Sequence, residues 1–443
     1  MVQNDRPAKS LEAVAASRPQ MLSVCHVLSG DRWAGAEVQA ATLLRELCRS
    51  GDLHVSAILL NEGRLADELR QAGVDVKIIS EASNSFAQIL SKAIPFVREQ
   101  RVQILHSHRY KENLLSHLIA LRCGVPVSVQ TKHGMPEPFR GWKLFRQFFH
   151  QQLDRWSGRL ASDAIIAVSQ EMAPTLRRVY GSRKVVTIRN GIDVAQVMSR
   201  LSGAEAKAKI GCKADAQVIG IVGRIEPIKR VDLFLKMAKL VAAASPDVQF
   251  VVAGDGSLLQ SLIDSAQAAG LAGNVQFLGH REDIYDVLRA LDVLVMCSDH
   301  EGMPMVLLEA MWLGIPVVGR AVGGIKEVLE HGRNGMSVSS AAPEDLAAAC
   351  MQLLSDRLLA ERVCHSAAQA VERDIGGKND ERRDAENVAP QPLQPAMADE
   401  AAAVVEDMRD GEIEARPQRE DGERQREQRQ EDNDPAHRPH STL

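Results

Sequence analysis

Long hydrophobic runs, cysteine patterns and a strong net charge are all missing from this chain of 443 residues. No run approaches the roughly 18 apolar residues of a membrane-spanning helix, and residues 1–20 lack the apolar core of a signal peptide. The seven cysteines form no C-x-x-C pair and no Cys/His pattern at zinc spacing, which favours reduced thiols. The sequence therefore predicts a cytoplasmic protein that meets any membrane at its inner face.

Charge is equally uninformative about large partners, because a net charge of −5 is too small to indicate nucleic acid. It is unevenly distributed: residues 372–443 carry 20 acidic and 11 basic side chains, which leaves the body slightly basic. Such a body suits an anionic small ligand or an anionic membrane surface. Residues 372–443 also lack aromatic side chains, so we predict a disordered acidic tail there. We also predict a disordered extension at residues 1–20.

What remains, residues 21–371, has an alternating pattern of apolar strands and helices that repeats in two series. The first series spans residues 21–193 and the second spans residues 194–371. The alternation predicts an α/β protein with two Rossmann-like parallel-sheet domains facing across a cleft. Strands are predicted at 22–28, 54–60, 75–79, 102–106, 126–130 and 164–168, then at 218–222, 248–253, 275–278, 293–296, 316–318 and 335–338. Functional side chains should collect at the carboxyl ends of these strands.

One Gly/Pro turn, within residues 299–316, follows a strand and leads into a helix. Free amides and the positive end of the helix dipole favour an anion or a sugar hydroxyl there. The amides are predicted to come from Gly302, Met303, Pro304 and Met305. Glu301 lies in the turn and Glu309 lies within the helix, so the two carboxylates frame the predicted site. Taken alone, such a pair of glutamates is usually solvated surface.

Basic and histidine side chains follow other strands. Arg224 and Lys229 come after the first strand of the second series, where a guanidinium fork and an ammonium can hold two phosphates. The turn Gly254-Asp255-Gly256 closes a further strand, and Asp255 could shape the ligand site or cap the next helix.

Three histidines close two strands of the first series. His106 and His108 end one strand, and His133 follows another within Thr131-Lys132-His133-Gly134. A functional role for His106 and His108 stays open beside a structural one.

The order of these motifs resembles the retaining GT-B glycosyltransferases of the GT4 family, also called group 1. The resemblance covers about residues 21–371. It is carried by EG-x6-E from Glu301 with AMWLGIPVV and VGGIKEV (322–328), GR-x4-K from Gly223, T-x-HG, NGID (190–193) and the Gly-Ala-Glu that begins at Gly35. Ala34 replaces the first glycine of the family's GGAE loop.

The resemblance implies a role for each motif. Glu301 would contact the donor sugar, Glu309 the ribose hydroxyls, and His133 would face the donor sugar. Arg224 and Lys229 would clamp the diphosphate. The remaining residues implied are Gly35, Gly223, Gly254 and Asp255 near the donor, and His106 and His108 on the acceptor side.

The reaction implied is transfer of a sugar, with retention, from a UDP- or GDP-sugar to a hydroxyl of a saccharide or lipid-linked acceptor in bacterial envelope synthesis. Neither a metal nor another cofactor is required. Two alternatives remain: a GT-B sugar-nucleotide epimerase or hydrolase, and an impaired nucleotide-sugar-binding protein that lacks the family's final crossover helix. The aromatic and basic segment at 139–159 could be a core helix or an interfacial helix on anionic lipid.

Overall fold

The computed structural model describes residues 21–31, 33–134, 152–159 and 161–374. The predicted extension at 1–20, the predicted tail beyond residue 374 and most of the segment at 139–159 lie outside these residues. The described residues form two parallel sheets, of seven and six strands, with helices between the strands. The predicted α/β fold class is confirmed.

The first sheet has the strand order β3-β2-β1-β4-β5-β6-β7. Its strands are β1 (Leu22–Leu28), β2 (Leu53–Leu59), β3 (Asp75–Ile78), β4 (Ile104–Ser107), β5 (Val127–Lys132), β6 (Ala164–Ala167) and β7 (Val185–Thr187). Its helices are α1 (Gly35–Arg49), α2 (Arg64–Gln71), α3 (Phe86–Glu99), α4 (Tyr110–Cys123), α5 (152–159) and α6 (Met172–Tyr180). Every residue of β1 after Leu22 is buried, as expected of a parallel strand covered on both faces.

The second sheet has the order β10-β9-β8-β11-β12-β13. Its strands are β8 (Val218–Val222), β9 (Gln249–Ala253), β10 (Val275–Gly279), β11 (Val293–Met296), β12 (Val317–Arg320) and β13 (Met336–Val338). Its helices are α7 (Gly203–Lys209), α8 (Val231–Ala244), α9 (Leu259–Ala268), α10 (Ile284–Arg289), α11 (Met305–Trp312), α12 (Gly323–Val328), α13 (Pro343–Ser355) and α14 (Arg357–Asp374). The apolar run of β11 is buried throughout.

Both sheets reverse their strand order at a central pair. The chain winds outward in opposite directions from β1 and β4 in the first sheet, and from β8 and β11 in the second. Such switch points open a crevice beyond the carboxyl ends of the two strands, and ligands of open α/β sheets bind there. His106 lies within β4, His108 and His133 follow β4 and β5, and Arg224 and Glu301 follow β8 and β11. The topology thus places the predicted groups at or beside the two crevices.

One hydrophobic core joins the two halves of the described chain. It contains Ile165 and Met172 from the first half together with Leu307 and Val317 from the second. Val371 of α14 belongs to the same core, and α14 packs against α11. Helix α14 ends at Asp374, three residues beyond residue 371, where the sequence analysis ended the second series.

The strand β7 was not predicted, because its three residues are too short for a periodic pattern. Among the described helices, none combines the length and apolar content needed to cross a bilayer.

Candidate active site

A lysine, a glutamate and a serine meet at the carboxyl edge of the second sheet. Lys229 ends a short 3-10 turn after β8, and its Nζ donates to Glu301 Oε1 over 2.5 Å. The hydroxyl of Ser298 donates to the same oxygen over 2.6 Å. Arg224 lies on the same loop as Lys229 and lines the same cavity as Glu301. The fold thus joins Lys229 and Glu301, which the sequence predicted as separate elements.

Close backbone contact shapes the loop that carries Arg224. Gly254 has φ 143°, and a Cβ added there would lie 1.9 Å from the carbonyl oxygen of Gly223. Any larger residue at 254 would push the loops after β8 and β9 apart. Asp255 accepts a hydrogen bond from the amide of Gly256 over 2.7 Å, while Leu258 is the N-cap of α9. The alternative that Asp255 caps α9 is therefore wrong, because that position falls later in the chain.

Helix α11 begins at Met305, four residues after Glu301, and points its N-terminus at this edge. Its N-cap is Pro304, which has no N–H, so the predicted run of four amides is wrong at that residue. The amides of Gly302, Met303 and Met305 remain as donors to a ligand. The side chains of Met303 and Met305 are buried in the core beneath them.

The loop before α11 touches the first sheet. A Cβ added at Gly302 would lie 2.2 Å from the carbonyl oxygen of His133, so only glycine fits between them. Asn190, which begins NGID, donates its side-chain amide to the carbonyl of Met303 over 2.8 Å. These contacts hold Glu301 and His133 on neighbouring loops of opposite halves.

Helix α1 approaches α11 through Gly35, where an added Cβ would lie 3.9 Å from Met305 Cγ. Ala34 is the N-cap of α1, with an extended φ of −139° that any residue adopts. Replacing the family's glycine with Ala34 therefore introduces no backbone strain.

Four histidine rings of the first half, from His26, His106, His108 and His133, lie next to one another. His26 of β1 pairs in register with His106 of β4, and the centroids of the two rings are 4.5 Å apart. His106 and His108 stack at 4.5 Å, and His108 and His133 at 5.3 Å. His106 and His108 are buried, and His106 Nε2 lies 2.8 Å from Thr131 Oγ1. Burial lowers the pKa of His133 to about 4, so the ring is neutral at pH 7.

Glu309 occupies a second cavity between α1 and α11. Its side chain is buried, and burial raises its pKa to about 7. Within the described residues, its carboxylate has neither an ion pair nor a hydrogen bond. The same cavity is lined by Trp33, Arg45, Arg64, Glu68, Asp193 and Tyr285. A buried carboxylate without a partner is costly, which suggests that a ligand provides one.

Two family models match the chain: Glycosyltransferase Family 4 over residues 33–196 and Glycosyl transferases group 1 over residues 203–370. The alpha-maltose-1-phosphate synthase of Mycolicibacterium smegmatis is 31% identical over 326 residues, covering 69% of this chain and 81% of the relative. The chain belongs to the group 1 glycosyltransferases.

Other relatives of this glycosyltransferase include the Escherichia coli UDP-Gal:alpha-D-GlcNAc-diphosphoundecaprenol alpha-1,3-galactosyltransferase. It is 27% identical over 268 residues, which cover 59% of this chain and 69% of the relative. Among solved structures, Anabaena Alr3699/HepE in complex with UDP-glucose matches with a TM-score of 0.70 at 19% identity, covering 82% of this chain and 98% of that one. The structural likeness confirms the GT-B fold.

Sequence reasoning missed several polar residues of this glycosyltransferase. Glu327 of α12 accepts the amide of Glu171 over 2.7 Å and lies 3.7 Å from Arg189 Nε, so it links the two halves. The signal was present, because Glu327 lies in the VGGIKEV motif. Glu37 of α1 is buried and forms an ion pair with Arg109.

The histidine cluster also brings three potential metal ligands together. His26, His106 and His108 each have a ring nitrogen within 4.8 Å of the others. However, His26 Nδ1 lies 3.1 Å from His108 Nε2, and His106 Nε2 lies 2.8 Å from Thr131 Oγ1. These ring nitrogens already have hydrogen-bond partners, so hydrogen bonding explains the cluster better than metal binding does.

Proposed function

We propose that this group 1 glycosyltransferase moves a sugar from a UDP- or GDP-sugar to a hydroxyl of a saccharide or lipid-linked acceptor, with retention at the anomeric carbon. The observation that carries the proposal is the meeting of Lys229 and Glu301, beside Arg224, with His133 across the contact at Gly302. Cationic groups for a diphosphate and polar groups for a sugar thus lie on adjoining loops.

The diphosphate would bind to Arg224 and Lys229. Negative charge grows on the bridging oxygen as the sugar leaves, and fixed cations and helix amides stabilise it without reorganisation. The N-terminus of α11 adds the amides of Met303 and Met305. Glu301 forms an ion pair with Lys229 over 2.5 Å. A dianionic diphosphate would compete for Lys229 and leave Glu301 available to the sugar hydroxyls.

The nucleoside would use the cavity of Glu309. A carboxylate there can accept hydrogen bonds from both ribose hydroxyls, which would supply the polar partner that Glu309 lacks. The cavity combines residues of both halves, such as Trp33 and Tyr285, so binding would also hold the two halves together.

Retention would proceed by attack on the face from which the diphosphate leaves. Of the two proposed donor-site carboxylates, Glu301 is bonded to Lys229 and Ser298, and Glu309 lies in the separate nucleoside cavity. Neither is arranged as a nucleophile, so we assign the acceptor proton to the leaving phosphate. The arrangement needs no metal or other cofactor.

Acceptor chemistry is supported by a relative, since the galactosyltransferase of Escherichia coli is named for a diphosphoundecaprenol-linked sugar. We propose that this enzyme likewise uses a lipid-linked saccharide as acceptor, in bacterial envelope polysaccharide synthesis. It would act at the inner face of the membrane. His106 and His108 are buried, whereas His133 is only partly buried, so the first two would act on a ligand through His133 and not by direct contact.

Calorimetric binding of UDP-, GDP- and ADP-sugars, followed by transfer to lipid-linked saccharides, tests the proposal. We expect one UDP- or GDP-sugar to bind and to be consumed only with an acceptor, giving an anomeric configuration equal to that of the donor. Conversion of the donor without any acceptor would instead identify an epimerase or a hydrolase. Binding without turnover over a broad acceptor panel would identify a binding protein.

A further inference from the structure

Three histidines, His26, His108 and His133, form a continuous line of hydrogen bonds, here called the imidazole chain. His26 Nδ1 lies 3.1 Å from His108 Nε2, and His108 Nδ1 lies 3.1 Å from His133 Nε2. The two end atoms, His26 Nε2 and His133 Nδ1, are buried and have no hydrogen-bond partner among the described residues. The chain therefore runs from the interior of β1 to the loop that touches Gly302.

The protons of the imidazole chain can be counted. Burial lowers the pKa of His26 to about 3 and that of His133 to about 4, and it holds the pKa of His108 well below its usual range. At pH 7 all three rings are neutral, so each carries one ring proton. Each of the two hydrogen bonds uses one proton. The third proton must lie at one end, on His26 Nε2 or on His133 Nδ1.

Only two arrangements satisfy this count. Either all three rings are protonated on Nε2, or all three are protonated on Nδ1. A mixed arrangement would place two protons in one hydrogen bond, or none. His133 therefore cannot change its tautomer alone, and the state of His26 decides whether His133 Nδ1 donates or accepts.

The charges nearest the chain favour one arrangement. Besides burial, the groups that lower the pKa of His133 are Arg109 and Lys132, and Arg109 also acts on His108. Arg109 is paired with Glu37 and Lys132 with Asp154, so each cation acts on the ring with its charge partly offset. Both still lower the pKa of His133, and positive charge at this end of the imidazole chain disfavours a proton on His133 Nδ1. The third proton is therefore favoured at the far end, on His26 Nε2, with a lone pair at His133 Nδ1.

We infer that His26 and His108 are positioning residues that hold His133 in the Nε2–H tautomer, so that His133 Nδ1 accepts a hydrogen bond from a hydroxyl of the donor sugar. The identity of that hydroxyl rests on the proposed function, whereas the tautomer does not. A site built to accept a hydroxyl proton discriminates against sugars without that hydroxyl, because a buried acceptor would stay unpaired.

The wild-type protein alone provides the first test. The full chain is labelled with 15N-histidine, and long-range 15N–1H correlation identifies the protonated nitrogen of each ring. We expect His26, His108 and His133 all to be protonated on Nε2 at pH 7. A proton on Nδ1 of His133 in the wild-type protein would overturn the inference without any variant.

Two substitutions at His26 separate hydrogen bonding from packing. His26→Phe keeps a ring but removes the acceptor of His108 Nε2–H, so His133 should show mixed tautomers and kcat/KM should fall about tenfold. His26→Asn can place an amide oxygen where Nδ1 was, so kcat/KM should stay within about threefold of wild type. His117→Phe, on α4 of the same half and outside the imidazole chain, is the matched control and should change neither quantity.

The inference fails if His26→Phe leaves a single His133 tautomer, or if His26→Asn behaves like His26→Phe. UDP and GDP binding is measured in parallel, since the diphosphate contacts do not include the imidazole chain. If the wild-type protein binds neither UDP nor GDP, the proposed function is contradicted, whereas the tautomer result still stands.

Discussion

Replacing Glu309 by glutamine should stabilise the free protein and weaken nucleotide binding at the same time. Burial raises the pKa of Glu309 to about 7 from its ordinary value of 4.5. A raised carboxyl pKa costs stability only where the group is charged, so the free energy of unfolding falls as the pH rises from 4.5 to about 7. Above pH 7 the penalty is complete, at about 3 kcal/mol. Glu309→Gln removes it.

The assay is thermal unfolding of both proteins at pH 4.5 and pH 8. The two halves share one core, and unfolding entropy is about 2.1 cal/mol/K per residue, so a penalty of about 3 kcal/mol in a unit of roughly 350 residues corresponds to about 4 °C. The Tm of Glu309→Gln should therefore exceed that of wild type by about 4 °C at pH 8. The two should agree within about 1 °C at pH 4.5, where the wild-type carboxyl is protonated. At pH 8 the same variant should bind the nucleoside diphosphate roughly 10- to 100-fold more weakly, since charge-assisted bonds to ribose are lost.

Glu112→Gln is the matched control. Glu112 of α4 is also buried, and burial raises its pKa to about 7, but it lies outside the nucleoside cavity. It should show the same gain in Tm at pH 8 with unchanged nucleotide affinity. If Glu309→Gln had a Tm equal to or below that of wild type at pH 8, or bound nucleotide like wild type, the role given to Glu309 would be refuted.

Three further changes test the site and its surroundings. Lys229→Ala should lower kcat by about 100-fold, as the loss of a preorganised donor does. Lys236 on α8 is exposed, so Lys236→Ala should leave kcat unchanged. Equal kcat values for the two variants would remove Lys229 from the mechanism. Gly302→Ala should lower both the Tm and the transfer rate, because its Cβ would lie 2.2 Å from the carbonyl oxygen of His133. A Cβ at Gly273 would meet open space, so Gly273→Ala should lower neither. Similar Tm values for the two variants would refute the close contact. Deleting residues 375–443 should leave the Tm within about 1 °C of the full chain, and a larger loss would contradict the predicted tail.

The strands and the motif order could be predicted because parallel strands buried on both faces leave continuous apolar runs. The run before Glu301 and the run before Arg224 are of this kind, and both became central strands of the second sheet. Since the carboxyl ends of such strands form one edge, the sequence also placed Lys229 and Glu301 at that edge.

The imidazole chain could not be predicted, because it depends on register between strands far apart in sequence. His26 is a single histidine in the apolar strand LSVCHVL, and nothing local separates it from an ordinary core residue. Only the pairing of β1 with β4 brings it beside His106 and His108. The predicted amide of Pro304 was an avoidable error, since proline has no N–H.

Predictions for the extension at 1–20 and for most of the segment at 139–159 lie outside the described residues and stay predictions. Within that segment, the described helix α5 places Trp156 56% exposed and Asp154 in an ion pair with Lys132 at 2.9 Å. Both a core helix and an interfacial helix are compatible with this exposure of Trp156 and with this ion pair.

The most direct test of the account compares nucleoside diphosphates with their own nucleosides. Calorimetry with UDP against uridine, and GDP against guanosine, isolates the contribution of the diphosphate whichever base the enzyme prefers. For the preferred base, we predict that the diphosphate binds at least about 100-fold more tightly than the nucleoside, and that Lys229→Ala reduces this ratio by about tenfold or more without changing nucleoside affinity. Equal affinities of diphosphate and nucleoside, or a ratio unchanged in Lys229→Ala, would contradict the central claim that these loops hold the donor diphosphate.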